Sequence, residues 1–268
     1  MKLSAILFIY WPEEELYVEA CLKTISWVDE IVVIDNGATV KTVNIVKKYT
    51  DKVFRSDSDS FSARHNLGKD KASGDWLFYI DADERISKKL QIEIQNELSS
   101  PAADSYQIRR TNYFLGKQVR FGDRYPDYVA RLFKKDQLLD WEGEIHESSK
   151  TSGKTARLQS ELYHLTHRDI YSMMEKTMNF QEYEARLRLN TNHPQITGWR
   201  LLRVFTTEMF TRLIGYQGWR GGTEGWIDGI FQSFSLFIAY ARLWELQRKP
   251  SLKESYKLID KKILDEFA

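Results

Sequence analysis

The sequence predicts an α/β fold, a mostly parallel central sheet with helices on its faces, followed by a helical C-terminal extension. Three observations predict it. Short apolar runs at Leu3–Tyr10, Ile31–Ile34 and Trp76–Ile80 are each bounded by turn or acid signals, the pattern of strands buried on both faces. Helical segments separate them with short connections, so strand and helix alternate through the first ninety residues. From Ile170 onward the pattern is helical. Residues 1–168 are therefore expected to form one domain of this architecture, and residues 169–268 a helical region.

Composition narrows the class. A hydrophobic content of 42% with 29% charged residues is that of a globular chain. Thirty-nine basic against 38 acidic side chains leave a net charge of +1, which gives no nucleic-acid footprint. The single cysteine, Cys21, has no internal partner, implying a reducing compartment and a buried, inert thiol. The N-terminal run carries one basic residue and no small-residue cleavage site, so it reads as a first strand and not as a signal peptide.

In order, Leu3–Tyr10 is a strand, and Pro12 with Glu13–Glu15 opens a helix that runs toward Trp27. The Ile31–Ile34 strand ends on Asp35-Asn36-Gly37. A carboxylate there suits a base or ribose hydroxyl and equally an ordinary turn. Thr39–Tyr49 is a short helix and Lys52–Arg55 a strand. Phe61–Lys69 is a helix with Arg64 and His65 adjacent, aimed where a diphosphate would lie. Trp76–Ile80 then leads to Asp81-Ala82-Asp83, two carboxylates around one small residue at the carboxyl edge of the sheet, where open α/β sheets collect ligands. They are close enough to share one hard cation, and equally able to cap the helix beginning near Ser87.

Beyond the Lys88–Leu98 helix the pattern changes. Ser105–Arg110, Tyr113–Leu115, Val129–Lys135 and Ala156–Leu165 read as strands. Between Asp140 and Glu147 lies a stretch rich in acid and imidazole, containing Trp141, Glu142, Glu144, His146 and Glu147, which is a second chemical region or a charged surface hairpin. Between Arg186 and Arg220 there are six arginines, no lysine and one acid, Glu208, so this segment carries +5 among aromatic residues. The uncharged run Gly229–Ala241 falls short of the roughly twenty residues a membrane span needs, and suits an interfacial helix or a helical lid.

Taken in sequence, Ile31-Val-Val-Ile-Asp35-Asn-Gly37, Ala72-Ser-Gly-Asp-Trp76 with Asp81-Ala-Asp83-Glu84-Arg85, Asn112-Tyr-Phe-Leu-Gly116, Tyr125-Pro-Asp-Tyr128 with Arg131-Leu-Phe133, Gly143-Glu-Ile-His-Glu147, His164, Gly218-Trp-Arg-Gly221 and Tyr240–Glu245 give the chain its resemblance. It resembles the family 2 glycosyltransferases of GT-A fold, a Rossmann-like architecture, within the branch that includes lipopolysaccharide-core and other cell-envelope sugar transferases. The resemblance implies that Asp35 contacts the nucleobase. It makes Asp81 and Asp83 the Asp-x-Asp motif that holds Mg²⁺ or Mn²⁺ against the diphosphate of a sugar nucleotide, a UDP-sugar first. Glu147 falls at the catalytic carboxylate and His164 at a late histidine that aids metal or diphosphate. Many relatives carry arginine or lysine at the position of His65; here arginine stands one residue earlier, so either Arg64 substitutes or the contact is weaker.

The chemistry asks for a cation to neutralise the leaving diphosphate and a general base opposite it to take the acceptor proton. Glu147 is the first choice of base and Asp127 the competitor. Family membership implies inversion by single displacement onto a hydroxyl of a glycan or glycolipid. The expected setting is cytoplasmic, peripheral on the inner face of the cytoplasmic membrane, with an anionic surface as partner. Two other readings are a Mg²⁺-dependent phosphatase with Asp81 as nucleophile, and a non-catalytic nucleotide- or membrane-binding module.

Overall fold

The computed structural model describes residues 1–58, 60–143 and 148–267. They divide into two compact units, one of residues 1–118 and 126–166, the other of residues 119–125 and 167–268.

The first unit is built on a nine-stranded sheet. Its strands are β1 (Leu3–Ile9), β2 (Glu30–Asp35), β3 (Val53–Arg55), β4 (Trp76–Asp81), β5 (Glu84–Ile86), β6 (Ser105–Phe114), β7 (Lys117–Gln118), β8 (Asp127–Lys134) and β11 (Thr155–Thr166), while β9 (Leu138–Glu142) and β10 (Ser148–Thr151) form a separate hairpin. The order is β3-β2-β1-β4-β8-β6-β11-β5, with β7 paired to β6. Six strands share one direction; β5, β7 and β8 oppose it. Helices α1 (Val18–Ile25), α2 (Val40–Val46), α3 (Phe61–Lys71) and α4 (Lys88–Ser99) complete the unit.

The alternation of side chains along each strand divides the core in two. Leu3, Ala5, Leu7, Trp76, Phe78 and Ile80 point to one face, against Leu22 of α1 and Ile94 of α4. Ile6, Ile34, Leu77, Tyr79 and Phe133 point to the other, with Ala72, Leu138 and Trp141. On that face Gly68 of α3 lies so close to β1 that an added Cβ would meet Ile6 Cγ2 at 2.5 Å. Caps fix where the helices begin: Ser60 accepts from Ala63 N at 3.3 Å and Ser87 from Leu90 N at 3.1 Å.

Two expected elements differ. The helix from Pro12 is a 3₁₀ turn over Pro12–Leu16, then α1; Tyr17 breaks the run with φ −144° and ψ −8°, while the Glu14 carboxylate turns back to accept from Tyr10 N at 2.6 Å. The two strands expected between Ser105 and Leu115 are one, β6, closed by positive φ at Leu115 and Gly116.

One connection shapes everything downstream. Along the sheet β4 and β5 are separated by β8, β6 and β11, a flat spacing of about 19 Å at roughly 4.8 Å per strand. Yet only Ala82 and Asp83 join Asp81 to Glu84, and three Cα steps reach about 11 Å at most. The sheet must therefore coil back, carrying its terminal strand toward the end of β4.

The second unit contains α5 (Ile170–Asn190), α6 (Gly198–Phe210), α7 (Gly222–Gln247) and α8 (Leu252–Leu264). Its core is small, Ala185, Ile196 and Leu243, and is reinforced by Gln181 donating to Ser235 at 2.8 Å and by Arg242 paired with Glu182 at 2.5 Å. Among the described residues no helix is long and apolar enough to cross a membrane.

Candidate active site

The parallel register of β2, β1 and β4 aligns Asp35 with Ile9, and Phe8 with Asp81, so Tyr10, Asp35 and Asp81 leave the sheet at one carboxyl edge. Asp35 Oδ1 accepts from the amides of Gly37 and Ala38, each at 2.9 Å, and Arg55 Nη1 lies 3.5 Å from both carboxylate oxygens. Gly37, at φ +111°, supplies the backbone this turn needs. The two readings of Asp35 thus meet in one side chain, a turn cap placed at the ligand edge.

Arg64 and His65 diverge, as neighbours on a helix do. The Arg64 guanidinium lies over the rings of Phe61 and Tyr10, 4.1 and 5.0 Å from their centroids. With its amide oriented to satisfy both ends, Asn36 accepts from Arg64 Nη1 at 3.2 Å and donates to the carbonyls of Ser56 and Ser58. His65 turns inward among Phe8, Trp141 and Tyr79, ring centroids at 4.3, 4.3 and 5.4 Å. Its Nδ1 donates to the Phe61 carbonyl at 2.8 Å, and burial lowers its pKa to about 4. At neutral pH it is an uncharged imidazole packed in an aromatic cluster; of the two residues, Arg64 carries the positive charge.

At the end of β4 the acids also part. Asp81 and Glu84 both accept from Arg131 Nη2 on β8, Glu84 at 2.6 Å. Glu84 is fully buried, and also accepts from Asp81 N at 3.1 Å and sits 3.5 Å from Arg110 Nη1. Burial raises its pKa. For Asp81 burial acts in the same sense, but the Arg131 guanidinium outweighs it and holds the carboxyl below its usual range. The coiled sheet makes this possible, since it brings Glu84 of the last strand against β8.

Asp83 lies opposite His164, Oδ2 to Nε2 at 3.4 Å, because β5 and β11 pair with His164 against Glu84 and Leu165 N donates to Asp83 O at 3.0 Å. Behind His164 the register continues the line: His164 pairs with Asn112 on β6, and Arg110 with Asp127 on β8. His164 Nδ1 is 2.6 Å from Asn112 Oδ1, and Asp127 Oδ2 accepts from Asn112 Nδ2 at 2.9 Å and from Arg110 Nε at 2.7 Å. Arg110 then reaches Glu84, so a closed circuit of polar contacts starts at Asp81 and returns at Asp83.

Among the described residues no three His, Cys, Asp or Glu side chains converge on one point. Asp83 and His164 do face each other, a carboxylate oxygen and an imidazole nitrogen at a sheet edge. A carboxylate oxygen and an imidazole nitrogen are donors that could hold a divalent cation. Asp81 faces Arg131 instead. Glu147 lies outside the described residues, as do Glu144, Ile145 and His146. The described strands on either side are held in place: Asn66 of α3 bonds Trp141 N and O at 2.9 and 3.1 Å, and Lys150 of β10 pairs with Glu142 of β9 at 2.6 Å.

Four members of the circuit, Glu84, Arg110, Asn112 and Arg131, had no role assigned from the sequence. One signal was available. Positions 106, 108, 110 and 112 of β6 share a face, and after Tyr106 and Ile108, both buried in the core, that face turns to Arg110 and Asn112. A core-facing stripe that becomes polar halfway along a strand marks a buried polar site.

Comparison with known proteins gives the family. The lipopolysaccharide core biosynthesis glycosyltransferase LpsC of Rhizobium meliloti is 24% identical over 270 residues, spanning 95% of this chain and 98% of LpsC. An uncharacterized glycosyltransferase of Rickettsia typhi is 25% identical over 256 residues, spanning 90% and 87%. The crystal structure of S. aureus TarS 1–349 in complex with UDP-GlcNAc superposes with a TM-score of 0.50 at 15% identity, covering 96% of this chain and 92% of the other, a likeness of fold. Residues 12–152, just over half of the chain and most of the sheet that carries the site, match the family described as Glycosyl transferase family 2, and the chain belongs to that family.

Proposed function

We propose that the protein transfers a sugar, with inversion and with the help of a divalent cation, from a nucleoside diphosphate to a hydroxyl of a cell-envelope glycan or lipid-linked acceptor. The observation that carries this reading is the Asp83–His164 pair at the carboxyl edge that Asp35 and Arg64 also occupy. The LpsC likeness supports a cell-envelope acceptor, and the UDP-GlcNAc held by TarS makes a UDP-sugar the first donor to test.

Asp83 and His164 would hold Mg²⁺ or Mn²⁺, which when bound supplies positive charge against the diphosphate of the leaving nucleotide. Asp35 offers its second oxygen to the base. Arg64, held between Tyr10, Phe61 and Asn36, offers its guanidinium to phosphate, a role the neutral, enclosed His65 does not fill. Asp81 acts as a fixed negative charge on Arg131, a posture that favours a structural electrostatic role over that of a phosphatase nucleophile. Glu147 takes the acceptor proton as the hydroxyl attacks the anomeric carbon. Asp127, whose Oδ2 is shared by Arg110 and Asn112, serves to position its neighbours and is the weaker candidate for base.

The helical unit suits a peripheral site on the cytoplasmic face of an anionic membrane. Trp199, Leu202, Phe210 and Trp219 are exposed on α6 and the turn after it, alongside Arg200, Arg203 and Arg220. Arg186, Arg188 and Arg212 pair instead with Glu182, Glu184 and Asp123, so much of the +5 segment is balanced within its own unit.

The decisive experiment measures UDP release from UDP-sugars with Mn²⁺ or Mg²⁺. Asp83→Asn and Glu147→Gln are each expected to lower kcat about 10²- to 10³-fold, several kcal/mol of transition-state stabilisation. Undiminished turnover in both variants would end this assignment of roles.

A further inference from the structure

We infer that Asn112, oriented by Asp127, is a positioning residue that fixes the tautomer of His164, leaving its Nε2 as a bare lone pair directed at Asp83. The inference rests on the proposed metal site and deepens it. Asp127 accepts from Arg110 Nε at 2.7 Å, and its carboxylate has no proton to give. The Asn112 amide must therefore turn its NH₂ to Asp127, at 2.9 Å. That orientation leaves Asn112 Oδ1, an acceptor, 2.6 Å from His164 Nδ1, which must therefore carry a proton to donate.

Nε2 then presents a lone pair to Asp83 Oδ2 across 3.4 Å. Without the Asn112 contact, the same histidine would put its proton on Nε2 and donate it to Asp83, cancelling both donors at once. Asn112 is 2% exposed and sits near the end of β6, the strand between β8 and β11. The backbone register of three strands thus sets which nitrogen is open. In metal sites a ligating histidine is commonly held by a second group on its other nitrogen, and losing that group costs 10–100-fold in affinity.

The test uses the full chain labelled with ¹⁵N-histidine, at a pH about two units above the ordinary imidazole pKa. His164 is identified among the five histidines by the signal absent from His164→Gln. Long-range ¹H–¹⁵N correlations are expected to show the Nδ1–H tautomer. In Asn112→Leu the Nε2–H form should dominate, and Mn²⁺ affinity measured by EPR with UDP present should fall about 10–100-fold. A wild-type His164 found as Nε2–H or as imidazolium overturns the inference even if Asn112→Leu does not fold. So does an Asn112→Leu protein that keeps the Nδ1–H form. Failure of the wild type to bind Mn²⁺ with UDP would instead strike the metal reading, and the tautomer measurement would stand apart from it.

Discussion

Strands β3, β2, β1 and β4 and strands β8, β6, β11 and β5 belong to one sheet, yet their inward faces are used differently. In the first set the alternation is apolar on both sides: Leu7, Val33 and Phe78 face one core, Ile6, Val32 and Leu77 the other, all fully buried. The second set begins apolar and turns polar, so that Arg131, Arg110, Asn112 and His164 replace aliphatic side chains over the same sheet edge. The first half holds the fold by area removed from water. The second holds charges whose partners come from other strands, and it can do so because the first half already fixes those strands.

The comparison can be broken at four points, of decreasing size. Phe78→Ala removes a fully buried ring of the apolar half and should cost about 3–5 kcal/mol in urea denaturation with kcat little changed in the folded fraction. A stable but inactive Phe78→Ala would erase the distinction between the halves. Arg131→Met leaves Glu84 buried with Arg110 as its remaining cation, and a loss of about 3 kcal/mol is expected by the same method. A neutral effect would mean the circuit is dispensable to the fold.

His65 belongs to the apolar half and gives it a pH dependence. Its pKa is lowered from 6.5 to about 4 by burial, so between those values the unfolded chain binds the extra proton and stability falls as pH falls. About 2 kcal/mol should be lost between about pH 7.5 and pH 5, and the His65→Gln protein should show a flatter profile. The smallest effect is expected outside both halves. Ser87→Ala removes the cap of α4, contributing about 1 kcal/mol, and should leave transfer unchanged although it lies four residues from Asp83.

The apolar half was legible because its signal is local. Runs such as Trp76–Ile80 declare a buried strand without reference to any other part of the chain, and the acids after them mark its end. The family resemblance implied Asp81 and Asp83 as a metal pair with His164 as its helper, but the pairing of Asp83 with His164 itself depends on β5, three residues long, finding β11 nearly eighty residues later. No periodicity reveals such a register. Arg64 and His65 stand adjacent in sequence and were expected to face one ligand, but a helix turns consecutive residues apart, and the aromatic rings of Phe8, Tyr79 and Trp141 claim the imidazole. The arginines of the helical unit read as a larger surplus of charge than they make, because Glu182, Glu184 and Asp123, which pair with three of them, stand outside the 186–220 stretch.

The sheet that coils back to deliver Glu84 also ends on β5, and at its opposite margin on β3, each three residues long. A free margin of a sheet is a template on which a foreign strand can add, and its hazard grows with its length. Here each margin offers little more than one pair of hydrogen bonds. At β5 the approach is further occupied by the Arg85 guanidinium, which donates to the carbonyls of Ala82, Glu84 and Tyr17 at 2.5–2.8 Å. The curl that assembles the chemistry therefore also closes the sheet's order on two of its shortest strands.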